Sequence, residues 1–485
     1  MRIAVVGAGM AGLAAALCLG RMGHSVLLLD RDPFEAGDDP NEAFHWSRKG
    51  IAHFQQPHAF LPRGRRELKL LFPDVYSALL DAGACDYSVA EKIQHESHPD
   101  DRELVYLSVR RPVVEWALRR ALLREAGIVT RMARVSDLVI EKGDVPAVRG
   151  VVLESGEQVA SDLVIDAQGR TTSFPAKLAT AGVQIPTESS STHIIYYSRY
   201  FKMHPGKEFP RGPWLTTPRG DLGYAGYSSF TGETGTFALV LAIGTWDREL
   251  RLLQHEAAWM AATTTISRLA PLIDPEFAVP VTPILAMGET QNTLRGYVDD
   301  GRALIRGFVP VGDSVCHTDP TFALGLSFAL VHARALKAVL DSASPDPDSL
   351  LKEFWTATFP EMRERFDYAV AADDARAQMW RGEQLDVFHA NGSYPMFAMV
   401  AASLAALQDD EIFRKTVRRM GFLDRFSVFD DDAGLHKRIE KIVESSLRSM
   451  TPSKTIGREE LLAVMRDAME KGSGEKDRRR SSQSA

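Results

Sequence analysis

RIAVVGAGMAGLAAALCLG at residues 2–20, followed after a short turn by SVLLLD at 25–30, spells strand, glycine turn, helix and second strand in that order. Arg2 to Val6 is almost uninterruptedly apolar, as a strand covered on both faces needs. Gly7, Gly9 and Gly12 then stand in G-x-G-x-x-G spacing, and Met10 and Ala11 open an apolar helix running to Leu19. In such a unit the first glycine permits a tight turn, the second lets a pyrophosphate approach the backbone, and the third lets helix and strand pack closely. The anion sits against the positive end of the helix. Asp30 closes the second strand, with Arg31 beside it, about where the motif expects an acceptor for a ribose hydroxyl. A lone G-x-G-x-x-G is weak, because glycines recur in turns for conformational reasons alone. The ordered set of strand, glycines, helix, strand and acid is what selects dinucleotide binding.

About 300 residues later comes GFVPVGDSVCHTDP, residues 307–320. A strand ending in Gly312-Asp313 is what a domain holding one long FAD along its length requires, so the two signatures together point to a flavoenzyme. No second dinucleotide fingerprint follows, and nothing in the chain reads as a separate NAD(P)H domain.

The 485 residues are 45% hydrophobic and 25% charged, with a formal net charge of -7. That balance offers no general attraction to nucleic acid or anionic lipid. Cys18, Cys85 and Cys316 are too few and too irregular for a disulfide framework. His53, His58 and His317 lack the partners of a zinc spacing, so no metal is expected. The charge-free stretch Met396 to Leu407 is too short for a transmembrane segment and reads as a core helix. With the fingerprint starting at Arg2 there is no space for a secretion signal, and the expected location is cytoplasmic.

Along the chain, residues 1–185 read as the first part of an FAD-binding domain, with a ligand-covering connection at 35–58 and a small β insert at 135–164 whose turns fall at Gly143, Gly150 and Gly156. Residues 186–290 are strand-rich and aromatic, the expected substrate domain. The cofactor domain resumes over 291–347 with a largely apolar helix from Leu324. Residues 348–450 read as a C-terminal helical region, and 451–485 as a short helix with a disordered tail, KGSGEKDRRRSSQSA. The fold class is an α/β, Rossmann-like FAD-binding domain with an interleaved α+β substrate domain, mostly antiparallel sheet, and C-terminal helices.

Taken together, these motifs resemble the FAD-dependent monooxygenases of the para-hydroxybenzoate hydroxylase type (group A), and most closely the squalene epoxidase-like and polyether epoxidase branch. The resemblance runs from residue 1 to about 382. It rests on GAGMAG with Asp30, on Arg111 in RRPVVEWAL, on Asp166-Ala167-Gln168-Gly169-Arg170, and on GDSVCHTDP. It implies that Arg111, Asp166 and Gly169 contact FAD, that Gly312 and Asp313 serve the ribityl chain, and that Pro320, Gly325 and Leu326 lie beside the isoalloxazine. RKGIAHFQQPHAF is similar to the family's Arg-x-Gly and Gln-x-x-His connection, carried here by Arg48, Gln55 and His58. The chain departs from the branch at Phe322-Ala323-Leu324-Gly325-Leu326, where relatives often carry Tyr-Gly-x-Gly-Met.

The resemblance implies noncovalent FAD and a monooxygenase that places one oxygen atom of O2 in a largely apolar small molecule through a C4a-hydroperoxyflavin, by hydroxylation or epoxidation, in the service of biosynthesis. NAD(P)H docking in the same cleft or a partner flavin reductase would supply electrons. No nucleophile-base pair is visible and no catalytic side chain is assigned. His317 and Asp319 are two apart and need not face each other. Tyr197 and Phe322 are candidate substrate contacts, although alternation along a strand turns half of the aromatic run Tyr196 to Phe201 away from any one face. The alternatives are a flavin-dependent reductase of isoprenoid-type double bonds and a non-catalytic flavin-binding escort. A halogenase lacks support, since W-x-W-x-I-P is absent.

Overall fold

The computed structural model describes the chain except residues 35, 52, 94–96, 211–217, 289, 342–345, 430–431, 450–454 and 484–485, and describes side chains as far as 471. Five parallel strands form the central sheet, in the order Phe308–Pro310, Leu163–Asp166, Arg2–Val6, Ser25–Asp30, Ile128–Met132. Register decides where the site lies. Val6 pairs with both Leu29 and Asp166, and Asp166 pairs with Pro310, so four strands end at one level. The turns beginning at Gly7, Arg31, Ala167 and Val311 therefore emerge together, at the carboxyl edge where open α/β sheets bind ligands.

Helix Met10–Arg21 lies on the sheet and helix Leu324–Leu340 packs against that helix, with Leu13, Leu17, Leu19, Leu330 and Leu336 almost wholly buried. Both helices are apolar nearly all round because each is enclosed by neighbours. The β insert is a three-stranded antiparallel sheet, Val135–Glu141, Ala147–Leu153 and Gln158–Ala160. Gly143 and Gly156 stand outside its strands, but Gly150 does not mark a turn. It lies inside Ala147–Leu153 beside a register shift, with φ +153°, where a Cβ would come within 2.1 Å of the Val159 carbonyl oxygen. Close backbone approach at a bulge, rather than chain reversal, explains that glycine.

A second sheet is antiparallel, ordered Arg219–Asp221, Ala225–Thr231, Thr236–Gly244, Ile194–Met203, Ala278–Pro280, with Leu285–Gly288 also on Ile194–Met203. One face packs on helix Glu256–Thr265 around Trp259; the other looks toward helix Leu350–Trp380. Strand Thr187–Ser191 pairs with Gln291–Arg295, and the latter with Cys316–His317, so the seams near 186 and 290 form one small sheet that bridges the two units.

The C-terminal part differs from its sequence reading. Helix Arg458–Gln483 continues through the segment read as a disordered tail, in keeping with the helix propensity of its Glu, Lys and Arg residues and an Asp467–Lys471 pair one turn apart. Its start belongs to the antiparallel-sheet unit: Leu461, Leu462 and Met465 join the Trp259 core, and Arg458 pairs with Asp247 at 2.9 Å. Among the described residues, no helix is long and apolar enough to cross a membrane.

Candidate active site

The carboxyl ends of the parallel strands enclose a cleft of about 480 Å³. At its floor Gly7 takes φ +105° and donates its N–H to Leu29 O at 2.7 Å; a Cβ there would meet the Ala167 carbonyl oxygen at 2.4 Å. A Cβ on Gly12 would lie 1.8 Å from the Gly7 carbonyl oxygen, so Gly12 serves packing and does not line the cleft. Gly9 is different. A Cβ there would have only the Ile51 Cδ1 atom at 3.4 Å and Arg111 Nη2 at 3.8 Å as near neighbours, which leaves room for a ligand against the backbone. The helix starting at Met10 has no side-chain cap, so its first N–H groups and positive dipole end face the cleft.

At one end of the cleft, Asp30 accepts hydrogen bonds from Ala8 N at 2.5 Å and Asp32 N at 2.8 Å. Arg48 lies across it, its Nη2 donating to Ala8 O at 2.8 Å and standing 3.3 Å from Asp30 Oδ2. Arg48 Nε and Nη1 are buried without a hydrogen-bond partner, with Asp32 and Glu115 oxygens at 3.7 and 4.0 Å. Arg111 is fixed by Glu115 at 2.9 Å, and Arg31 also lines the cleft. Uncapped amides, an open glycine and under-bonded guanidinium groups are the donor set a pyrophosphate needs.

The second signature closes the other side. Gly312, at φ +59°, donates its N–H to Nδ1 of the wholly buried His332 at 2.8 Å, and its Cα faces Ala11 so closely that a Cβ would come within 2.7 Å of the alanine methyl. Burial holds the His332 imidazole neutral, its pKa pulled down to about 3, which keeps Nδ1 available as acceptor. Asp313 faces the cleft from this turn. Gly169, at φ +75°, lines the cleft and donates its N–H to Ser314 Oγ at 2.9 Å, tying the two loops together.

Three residues assigned to the cofactor lie outside the cleft lining: Gly12, which packs helix on turn, and Asp166 and Gln55. Asp166 is fully buried behind the cleft, where it accepts from Gln168 N at 3.0 Å, Thr172 Oγ1 at 2.6 Å and Ser314 Oγ at 3.3 Å. It shapes the loop whose residues 167–171 line the cleft. Gln55 turns away and donates to Phe44 O at 2.8 Å; its neighbour Gln56 is the one in the cleft wall, accepting from Ser198 Oγ at 2.7 Å. His58 does line the cleft, burial pushing its pKa down to about 3. His317 is likewise held neutral by burial, at about 4, and Asp319 is bound to other partners, so these two make no acid-base pair.

A second cavity of about 420 Å³ adjoins the cleft, sharing with it Gln56 to Ala59, Phe230, Met287, Pro320 and Ala323. Its walls come from the antiparallel sheet, the 320–323 loop and the C-terminal helices, and Met287, Met379, Met396, Met399 and Met420 give it an adaptable surface. Phe322 lines it, with Tyr368 at 5.9 Å. Tyr197 does not. Strand alternation turns it into the Trp259 core and brings Tyr196 to the cavity instead. The Tyr196 hydroxyl donates to Asp319, whose other oxygen accepts from Arg376 at 2.7 Å, and Arg376 also donates to Asp373 at 2.6 Å. Burial and the neighbouring Asp319 push the Asp373 pKa up, whereas the Arg376 guanidinium holds Asp319 below the usual carboxylate value. The entry to helix Leu324–Leu340 is left-handed at Ala323, φ +53°, the conformation glycine would supply.

Residues 2–193 match the family of FAD dependent oxidoreductases. A Mycobacterium tuberculosis protein, Protein Rv3254, is 29% identical over 364 residues, covering 69% of this chain and 72% of its own. Among solved structures, a probable FAD-dependent monooxygenase from Pseudomonas aeruginosa, pqsL, superposes with a TM-score of 0.57 at 14% identity, over 79% of this chain and 98% of the other. The flavin-dependent brominase Bmp2 gives a TM-score of 0.57 at 17% identity over 93% of this chain and 100% of its own. At these identities the superpositions establish a shared fold.

Proposed function

We propose that this FAD-dependent oxidoreductase is a monooxygenase acting on a largely apolar small molecule held in the second cavity. The observation that carries the reading is the junction of the two cavities: a mainly apolar chamber opens into the cofactor cleft at Pro320 and Ala323. A chemistry confined to the cofactor's reactive ring needs this adjacency, because the protein's task is to orient a substrate and exclude water.

Bound FAD, once reduced, supplies the oxygen-activating chemistry. Gly7, Gly9, Met10, Ala11, Asp30, Arg31, Arg48 and Arg111 would hold its adenosine and pyrophosphate, Gly169, Gly312 and Asp313 its ribityl chain, and Pro320, Gly325 and Leu326 its ring. The amides at the start of helix Leu324–Leu340 favour negative charge at that end of the cleft. His58 and His317, kept neutral by burial, add no positive charge there, so the stabilisation is left to the amides. The chamber's methionine and aromatic walls exclude water and fit a hydroxylation or epoxidation substrate.

Electrons come from NAD(P)H in the same cleft or from a partner flavin reductase; anaerobic bleaching of the flavin by NADH or NADPH selects the first. A reductase of isoprenoid double bonds would use the same two cavities, and oxygen separates it. In the proposed enzyme, ligand-bound and anaerobically reduced protein consumes O2 in proportion to oxygenated product. Turnover of an unsaturated substrate under nitrogen, without O2, assigns the chain to the reductase reading.

A further inference from the structure

The second cavity contains one acidic group for which neither the fold nor the cofactor cleft has a use. Asp221 ends the edge strand Arg219–Asp221 and lines the cavity beside Tyr227, Phe230 and Trp380. Its orientation is fixed from two directions: the Trp380 indole N–H reaches both carboxylate oxygens, at 3.0 and 2.9 Å, and Gly223 N donates to Oδ1 at 2.7 Å. Among the described residues, no lysine, arginine or histidine stands within ion-pair distance of it. Arg376, the cation that reaches it through space, is spent on Asp319 and Asp373. Arg219, two residues earlier on the strand, lines the same cavity.

Asp221 is the exposed residue of its strand and is open on the cavity side, yet the surrounding walls still raise its pKa, so an ionised carboxylate there carries a cost. Two N–H donors offset part of it. A carboxylate has roughly four lone-pair sites, so acceptor capacity remains on the cavity side. A donor brought by a ligand would complete it with a charge-assisted bond. We propose that Asp221 is a recognition residue for a hydrogen-bond donor, a hydroxyl or amino group borne on an otherwise apolar substrate. Trp380 is its positioning partner, and its ring also forms the adjoining wall. The selectivity follows from physical chemistry: a site built to bond an O–H or N–H discriminates against an analogue that lacks it, because its own polar group is then left unpaired. This inference rests on the reading of the cavity as the substrate chamber.

The test uses oxidised, FAD-loaded protein, so that binding is read without turnover. Phenylbutanol, phenylbutylamine and butylbenzene share a hydrophobic body and differ at one end; calorimetry gives their affinities. Both donor-bearing probes should bind at least about tenfold more tightly than butylbenzene, or about 1.4 kcal/mol. Asp221→Asn and Asp221→Ser should each abolish the amine's advantage while leaving FAD content and butylbenzene affinity unchanged. Equal affinities for the three probes in the wild type, or an amine preference that survives both substitutions, overturns the role of Asp221 but leaves the chamber. Failure of every probe to bind overturns both readings.

Discussion

His332 shows how a single residue outside the cleft lining shapes the site. Its neutral Nδ1 accepts the Gly312 N–H, and that turn presents Asp313 to the cleft. An unfolded histidine titrates near 6.5, whereas this one does so at about 3, so between those values the unfolded chain binds the extra proton. Its contribution is therefore full above pH 6.5 and lost progressively as pH falls toward 3. His332→Asn keeps an acceptor on the same branch of the side chain but does not titrate. Between pH 7 and pH 5 the wild type should lose about 2 kcal/mol more stability than this variant in urea melts. An equal loss in both would show that His332 is not held neutral. Asp30 and Asp313 were legible from sequence because the spacing of their motifs is short and fixed. Gln56, Tyr196 and Arg376 were not, since local turn geometry decides between Gln55 and Gln56, strand phase decides between Tyr196 and Tyr197, and Arg376 meets Asp319 only through packing of distant segments.

The element that matters most to the proposed chemistry is the entry from the 3-10 turn Pro320–Phe322 into helix Leu324–Leu340. Ala323 adopts φ +53° there, the left-handed region that costs a residue bearing Cβ about 1 kcal/mol or more. Ala323→Gly should therefore hold or raise stability, by about 0.5 to 1 kcal/mol after the glycine's greater chain entropy is counted, with FAD affinity preserved. Thermal melts and FAD titration measure both. A destabilised variant would mean that the methyl group's packing outweighs its strain. The helices themselves were readable from apolar periodicity, and so were the strands of the central sheet. Gly150 was misassigned because a glycine demanded by a bulge looks in sequence like one demanded by a turn. Helix Arg458–Gln483 was read short because a charged segment without core residues can still continue a helix anchored by Leu461, Leu462 and Met465.

At the scale of the whole molecule, a parallel sheet ends its strands at one level, and an antiparallel sheet brings a mainly apolar chamber to the same place. That a parallel-sheet unit is split in sequence around an antiparallel one was legible in the order of the motifs. The C-terminal helices carry no motif, so their contribution to the chamber through Met396, Met399, Met420 and Phe426 emerges only in three dimensions. We propose that this arrangement transfers oxygen to the substrate. Its most direct test is isotopic: FAD-loaded, pre-reduced protein is mixed with a small-molecule extract under labelled O2, and products are identified by mass spectrometry. The account predicts an enzyme-dependent product carrying one labelled oxygen atom, absent under nitrogen. Label recovered only in hydrogen peroxide, or a saturated product formed without O2, would contradict it.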